Sequence, residues 1–236
     1  MQKILSVLRK ACQTYNLIED GDKIAVGLSG GKDSLTLLHA LASYQKFSDK
    51  NFSLQAIAVD LSNGQNDYSQ IEEFCKKINV PLSIVNSNIF EVVFDIRKEK
   101  NPCSLCANMR RGILNSTAKD LGCNKVALGH HKDDLIETFL MSLFFEGRIS
   151  TFKPKAYLSK TELYVIRPLI YCDESDIKRV SKDYPILINT CPADKHTERE
   201  NAKKLLEQLN NIYPNCKEKL FNAIIHTDRY NLFDKM

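Results

Sequence analysis

The feature that most limits this chain's fold is the alternation of short apolar runs with longer segments of helical period. "KIAVGL" precedes "DSLTLLHALASYQ", "SLQAIAVD" precedes "YSQIEEFCKKI", "PLSIVNS" follows, and "NKVALG" precedes "DDLIETFLMSLFFEG". Runs this short and this apolar suit strands covered on both faces, as parallel sheets require. Parallel neighbours need a crossover connection, and the intervening helices supply it. The expected class is α/β, with a doubly wound, mainly parallel sheet. "CANMRRGILNSTAKDLG" predicts a helix before the fourth strand. "LYVIRPLIY" predicts one more strand, since Val165 and Ile166 favour extended backbone.

The ends of the chain read differently. Ile4, Leu5, Val7, Leu8, Ala11, Cys12 and Tyr15 fall at helical spacing, so the start is an amphipathic helix and not a signal peptide. From about Asp173 the pattern is helical throughout ("ESDIKRVSKDY", "ERENAKKLLEQLNNI", "CKEKLFNAIIHT"). The expected organisation is an α/β domain over residues 1–171 and a helical C-terminal appendage over 172–236.

Composition removes some function classes. No apolar run approaches the roughly 20 residues of a membrane helix, which points to the cytoplasm and away from a membrane. A net charge of +4 permits a nucleic-acid partner without demanding one. Eight cysteines in a chain without an export signal argue against a disulfide framework and for metal binding or thiol chemistry.

"GLSGGKDS", residues 27–34, lies between the first strand and its helix. It is not a Walker A loop, because Val26 stands where the first glycine belongs and Asp33 follows the lysine. Nor is it a dinucleotide fingerprint, because Ser29 replaces the middle glycine. The loop still suits an anion. Gly30 and Gly31 let backbone N–H groups approach it, the helix start adds a positive pole, and Ser29, Ser34 and Lys32 add donors. The competing reading is a tight turn with Asp33 or Ser34 as a helix cap.

Cys103 and Cys106, in "NPCSLCANMRRGIL", stand two residues apart just ahead of a helix, so both sulfurs can reach one metal ion or cluster. There is no second Cys-x-x-Cys pair. Cys191, in "NTCPADK", is a downstream third candidate, and three thiolates would suit an iron–sulfur cluster with one iron left open. Cys12, Cys75, Cys123, Cys172 and Cys216 read as packing residues. "ALGHHKDDLIETFL" turns from the fourth strand into a helix at the carboxyl edge of the sheet, where ligands bind in such folds. There Asp133 and Asp134 are candidates for ligand contact or for N-capping, and His130 and His131 for packing or hydrogen bonding.

"SGGKDS" resembles the PP-loop of the ATP pyrophosphatase superfamily, which splits ATP between the α- and β-phosphates. The succession "SGGKDS", "CSLCANMRRGIL", "ALGHHKDDLIETFL", "VIRPLIY" and a later cysteine is similar to the tRNA 2-thiocytidine synthetase (TtcA) family, from about residue 20 to about 205. The resemblance implies an adenine nucleotide alpha hydrolase-like fold and ATP-dependent, iron–sulfur-dependent transfer of sulfur to C2 of a pyrimidine in tRNA, foremost cytidine in the anticodon loop. It implies ATP, Mg²⁺ and a [4Fe-4S] cluster as cofactors. It further implies nucleotide contacts from Ser29, Gly30, Gly31, Lys32, Asp33, Ser34, Asp60, Gly129, Asp133 and Asp134. Cys103, Cys106 and Cys191 are the implied cluster ligands, and Asp33, Cys103 and Cys106 the implied catalytic groups. Its implied partners are tRNA and a sulfur donor such as a cysteine desulfurase system, with a homodimer left open. Arg110, Arg111, Arg148, Lys153 and Lys155 are candidate contacts to tRNA phosphates. The rival readings are a PP-loop ligase, a tRNA 2-thiouridine synthetase and a non-enzymatic nucleotide sensor.

Overall fold

Burial runs almost unbroken along Asp22–Leu28 (β1) and Phe52–Asp60 (β2), the pattern of strands covered on both faces. The computed structural model, which describes residues 1–97, 102–187 and 198–230, adds Leu82–Asn86 (β3), Lys125–Ala127 (β4), Lys155–Leu158 (β5) and Leu163–Ile166 (β6). These strands form one sheet in the order β3-β2-β1-β4-β6-β5. Every neighbouring pair is parallel except β5 and β6, which form an antiparallel hairpin at one edge. The mainly parallel α/β expectation is met. Periodicity gives no sign of β5, whose "KAYL" has no β-branched residue.

The described residues fall into two compact units, Met1–His131 with Lys153–Ala193 and Lys132–Phe152 with Asp194–Met236. The whole sheet belongs to the first. Helix α1 (Gln2–Tyr15) packs on α2 (Lys32–Gln45), and α2 covers β1 and β2. Because α2 also meets α6 (Glu174–Val180), its apolar residues are buried nearly all round: Leu35, Leu37, Leu38, Ala40, Leu41 and Tyr44. Helix α3 (Ser69–Lys77) links β2 to β3. A π-helical stretch, Glu91–Ile96, and α4 (Pro102–Asp120) pack together, and α4 lies against β2 and β4. Ala25, Ile57, Val59, Val93, Leu114, Ala118 and Val126 form the core there. Burial of each large aliphatic side chain contributes about 1.5–3 kcal/mol. Gly27 continues that face, where an added Cβ would come within 2.8 Å of Leu114 Cδ2, so the absent side chain sets how closely α4 approaches β1.

Lys125, 1% exposed, joins the amino ends of β1 and β4. Its Nζ lies 2.7 Å from Asp22 and 2.9 Å from Glu19, and donates to the Leu17 carbonyl at 3.1 Å. The second unit contains α5 (Lys132–Glu146), α7 (Glu198–Ile212) and α8 (Cys216–Ile225), packed on one another. Among the described residues, no helix is long and apolar enough to cross a membrane.

Candidate functional site

The strand order places β1 between β2 and β4, so connections leave β1 in opposite directions. The crevice at its carboxyl end is the position where open α/β sheets take ligands. The loop Ser29–Gly31 fills that position and runs directly into α2. Its shape comes from its own side chains. Ser34 Oγ accepts from the Ser29 N–H at 3.1 Å and donates to the Gly31 carbonyl at 2.9 Å, while Ser29 Oγ accepts from the Gly31 N–H at 3.3 Å. The two hydroxyls are 3.1 Å apart. Gly30 has φ +77°, a left-handed conformation that glycine adopts without strain. The N-cap is Gly31, with no side-chain capping bond, so neither Asp33 nor Ser34 caps the helix. This leaves a helix N-terminus behind a glycine loop, an arrangement suited to phosphate.

Several residues distant in sequence meet this loop. The Leu187 N–H donates to the Gly30 carbonyl at 2.9 Å, and a Cβ on Gly30 would lie 2.6 Å from Leu187 Cδ1. Lys32 does not stand alone as a phosphate donor: its ammonium is 2.9 Å from Asp33 and 3.2 Å from Glu174. Burial would lower the Lys32 pKa, but these two carboxylates together raise it. Asp33 also lies 3.5 Å from His131 Nε2. Gly129 packs against the same residue from the end of β4. Ser29 to Ser34, Gly129 and His131 are therefore brought together.

Asp60 ends β2, fully buried, and its carboxylate shapes the next loop. It accepts from the Ser62 hydroxyl at 2.8 Å, the Ser62 N–H at 3.2 Å, the Asn66 amide at 2.6 Å and the Gly64 N–H. Burial alone would raise its pKa; these hydrogen bonds hold it below the usual carboxylate range. A cleft of about 330 Å³ opens beside it, lined by Asp60, Asn66, Tyr68, Glu72, Ile84 and Asn86 among others.

Cys103 and Cys106 lie in the first turn and a half of α4, after Pro102 at its first position. Cys103 is exposed, whereas Cys106 is half-buried and packs on the core beside Leu105 and Met109. Two soft thiols one turn apart fit two ligands of a zinc or iron–sulfur centre. Cys191 lies outside the described residues. Among the described residues, no three His, Cys, Asp or Glu side chains gather as a metal site.

Arg110, two turns into the same helix, reaches back to β1, where its Nη2 donates to the Leu28 carbonyl at 3.4 Å. Arg167, after β6, donates to His130 Nδ1 at 3.2 Å and to the Lys153 carbonyl at 2.7 Å. Burial, with Arg111 nearby, pushes the Arg167 pKa down to about 10. Lys155, expected to be a tRNA contact, is engaged otherwise: it donates to the Asn16 carbonyl at 2.6 Å and lies over the Tyr164 ring.

Asp133 and Asp134 belong to the second unit, in the first turn of α5. Asp133 is ion-paired with Lys217, and Asp134 lies 3.7 Å from Arg199. Lys132, also buried, is ion-paired with Glu218. Arg199 also stands 3.4 Å from Glu137, whose carboxyl is pushed up to about 7 by burial. Glu137, Glu174 and Leu187 carry no signal in the local sequence, since each acquires its role from a segment far along the chain.

A PP-loop domain model matches residues 3–189. A tRNA-cytidine(32) 2-sulfurtransferase from Aliivibrio fischeri is 39% identical over 99% of this chain and 79% of its own length. A protein of the same name from Cytophaga hutchinsonii is 39% identical over 99% of this chain and 85% of its own. Among solved structures, the U34-tRNA thiolase NcsA from Methanococcus maripaludis with its [4Fe-4S] cluster superposes with TM-score 0.72 at 25% identity, covering 93% of this chain and 76% of that one. An NH3-dependent NAD synthetase from Campylobacter jejuni shares the fold at TM-score 0.51 and 16% identity, over 100% of this chain and 97% of its own.

Proposed function

From a chain that belongs to the PP-loop family, with relatives named tRNA-cytidine(32) 2-sulfurtransferase, we propose that this protein replaces the C2 oxygen of cytidine 32 in tRNA by sulfur at the expense of ATP. The single observation that carries the reading is one sheet edge holding both a self-bonded serine–glycine loop before a helix N-terminus and, through Arg110 on Leu28, the helix that begins with Cys103 and Cys106.

The loop receives the phosphates of ATP, with Mg²⁺ accompanying them. The Gly30 N–H and the N–H groups that open α2 donate to the departing pyrophosphate, the bonds among Ser29, Gly31 and Ser34 hold the loop that presents them, and electrostatic preorganisation lowers the barrier because these donors are fixed before reaction. Asp33, held by Lys32 and near His131, keeps that helix start in register, and Gly129 lets the β4 turn close on it. The cytidine O2 attacks the α-phosphorus: an O–P bond forms, the bond to the β-phosphate breaks, and pyrophosphate leaves with the electron pair. Inorganic sulfide then forms a C2–S bond as the C2–O bond breaks and AMP leaves. Activation is needed because AMP is a far better leaving group than a carbonyl oxygen.

A [4Fe-4S] cluster, when bound, supplies a soft centre able to hold sulfide. Cys103 and Cys106 fit it as two ligands, and Cys191 is the proposed third. A cysteine desulfurase system would deliver persulfide sulfur, which two thiol equivalents reduce to sulfide as they become a disulfide, and ATP, tRNA and those thiols meet in the cytoplasm, where we place the reaction. Iron and sulfide analysis after anaerobic reconstitution tests the ligand set. Cys103→Ala and Cys191→Ala should each lose the cluster and thiolation while ATP binding survives; stoichiometric zinc, or a Cys191→Ala variant retaining both, would overturn it.

A further inference from the structure

We propose that Arg110 is the receptor for the phosphoryl group of the adenylate, holding AMP and its ester between the end of β1 and Cys106. The assignment rests on the adenylation reading above and deepens it by naming the cation that follows the AMP half of ATP.

Position is the first ground. Arg110 Nη2 is 3.4 Å from the carbonyl of Leu28, the last residue of β1, immediately before Ser29. The loop itself serves the leaving pyrophosphate, so the α-phosphorus must lie beyond it, toward the nucleoside. Arg110 occupies the flank where α4 meets that strand. Cys106 precedes it by one turn on the same face of α4, and its charge acts on Tyr68, whose phenol lines the cleft beside Asp60. The guanidinium thus adjoins three features the reaction must connect: the loop strand, the cleft and the thiol.

The second ground is how the Arg110 charge is met by its surroundings. Arg110 is half-buried, and desolvation lowers the pKa of even a guanidinium. Among the described residues no carboxylate pairs with it. Other arginines spend their donors differently: Arg111 is exposed and bonds Ala107 and Asn108 of its own helix, Arg167 bonds His130 and the Lys153 carbonyl, and Arg179 and Arg199 stand beside carboxylates. A partly desolvated cation with no carboxylate beside it among the described residues costs the fold more than an apolar side chain of similar size would. The cost is recovered when a ligand brings the negative charge. Guanidinium presents its N–H donors in a planar fork that matches two phosphoryl oxygens, whereas among the described residues Arg110 makes one long bond, to Leu28.

The consequence for chemistry concerns the second step. As the C2–S bond forms and the C2–O bond breaks, the electron pair goes to the AMP oxygen and charge on the phosphoryl group grows. A cation already in place there favours departure of AMP, and nothing is oxidised or reduced.

Calorimetric titration of the full chain with AMP and with adenosine, without tRNA, isolates the contact. Arg110→Met should weaken AMP at least tenfold and leave adenosine unchanged, with Arg110→Lys recovering part of the loss. The melting temperature of Arg110→Met should equal or exceed that of the wild type, since a desolvated charge has been removed. AMP affinity within twofold of wild type in Arg110→Met would overturn the proposal. So would a wild type that binds AMP no tighter than adenosine, or a variant that loses both ligands together. A wild type that fails to thiolate tRNA yet shows the Arg110-dependent preference for AMP would refute the proposed function and leave the receptor standing.

Discussion

Gly129 stands against the first turn of α2 so closely that a Cβ at this position would lie 2.9 Å from the carbonyl carbon of Asp33 and 3.0 Å from its oxygen. Both neighbours are backbone, which cannot swing aside as a side chain can. Gly129→Ala must therefore displace the helix start that follows the Ser29–Gly31 loop. Misplacement of a reacting group by about 1 Å can cost on the order of a hundredfold in rate. We expect pyrophosphate release to fall at least tenfold while the melting temperature drops by only a few degrees. Wild-type turnover in Gly129→Ala would separate this contact from the reaction.

Lys125 gives a prediction about stability alone. Its ammonium neutralises Asp22, 3% exposed, at a distance of 2.7 Å. Lys125→Met would strand that carboxylate in the interior, and breaking a buried pair from one side costs about 3–5 kcal/mol. Adding Asp22→Leu should restore much of the loss. Urea denaturation of the single and double variants checks this; a single variant as stable as wild type would contradict it.

Glu137 should make stability depend on pH. The carboxyl ionises near 4.5 when free and near 7 in the fold, because burial penalises the charged form more than Arg199 favours it. Between those values the folded state binds more protons than the unfolded state. The contribution of this group to stability is then fully present below 4.5 and is lost as pH rises through 7. Glu137→Gln should remove on the order of 2 kcal/mol of that decline. Urea midpoints at about pH 5 and about pH 8 decide it, and an unchanged decline in the variant would contradict it.

Asp60 predicts a local effect. Four donors from Ser62, Gly64 and Asn66 converge on its carboxylate, so Asp60→Ala leaves the loop after β2 without its organising acceptor. Each lost bond to a charged group removes about 1.5–3 kcal/mol. Amide hydrogen exchange should speed up at residues 62–66 and remain slow in β1; uniform protection throughout would refute this role.

The sheet was legible because β1 and β2 carry their burial in contiguous residues, with helical segments between. The Ser29–Ser34 loop was legible for the same reason: its donors, glycines and helix start are adjacent in the chain. What escaped was made by distant segments. Nothing near Arg110 announces the Leu28 carbonyl, and nothing near Lys32 announces Glu174. Asp60 was legible as a residue at a strand end, but its use in folding residues 62–66 depends on backbone positions that no pattern encodes. The β5–β6 hairpin escaped because four residues without a β-branched side chain give too little periodicity to register.

In the function proposed above, one sheet edge activates cytidine with ATP and receives sulfur beside Cys103 and Cys106. The most direct measurement is mass spectrometry of nucleosides from unmodified tRNA incubated anaerobically with the reconstituted full chain, ATP, Mg²⁺ and sulfide, with position resolved by fragment mapping. The expected product is 2-thiocytidine at position 32, formed only with ATP and matched by release of AMP and pyrophosphate. Sulfur appearing in uridine at position 34 instead, or pyrophosphate release with no sulfur entering the tRNA, would contradict it.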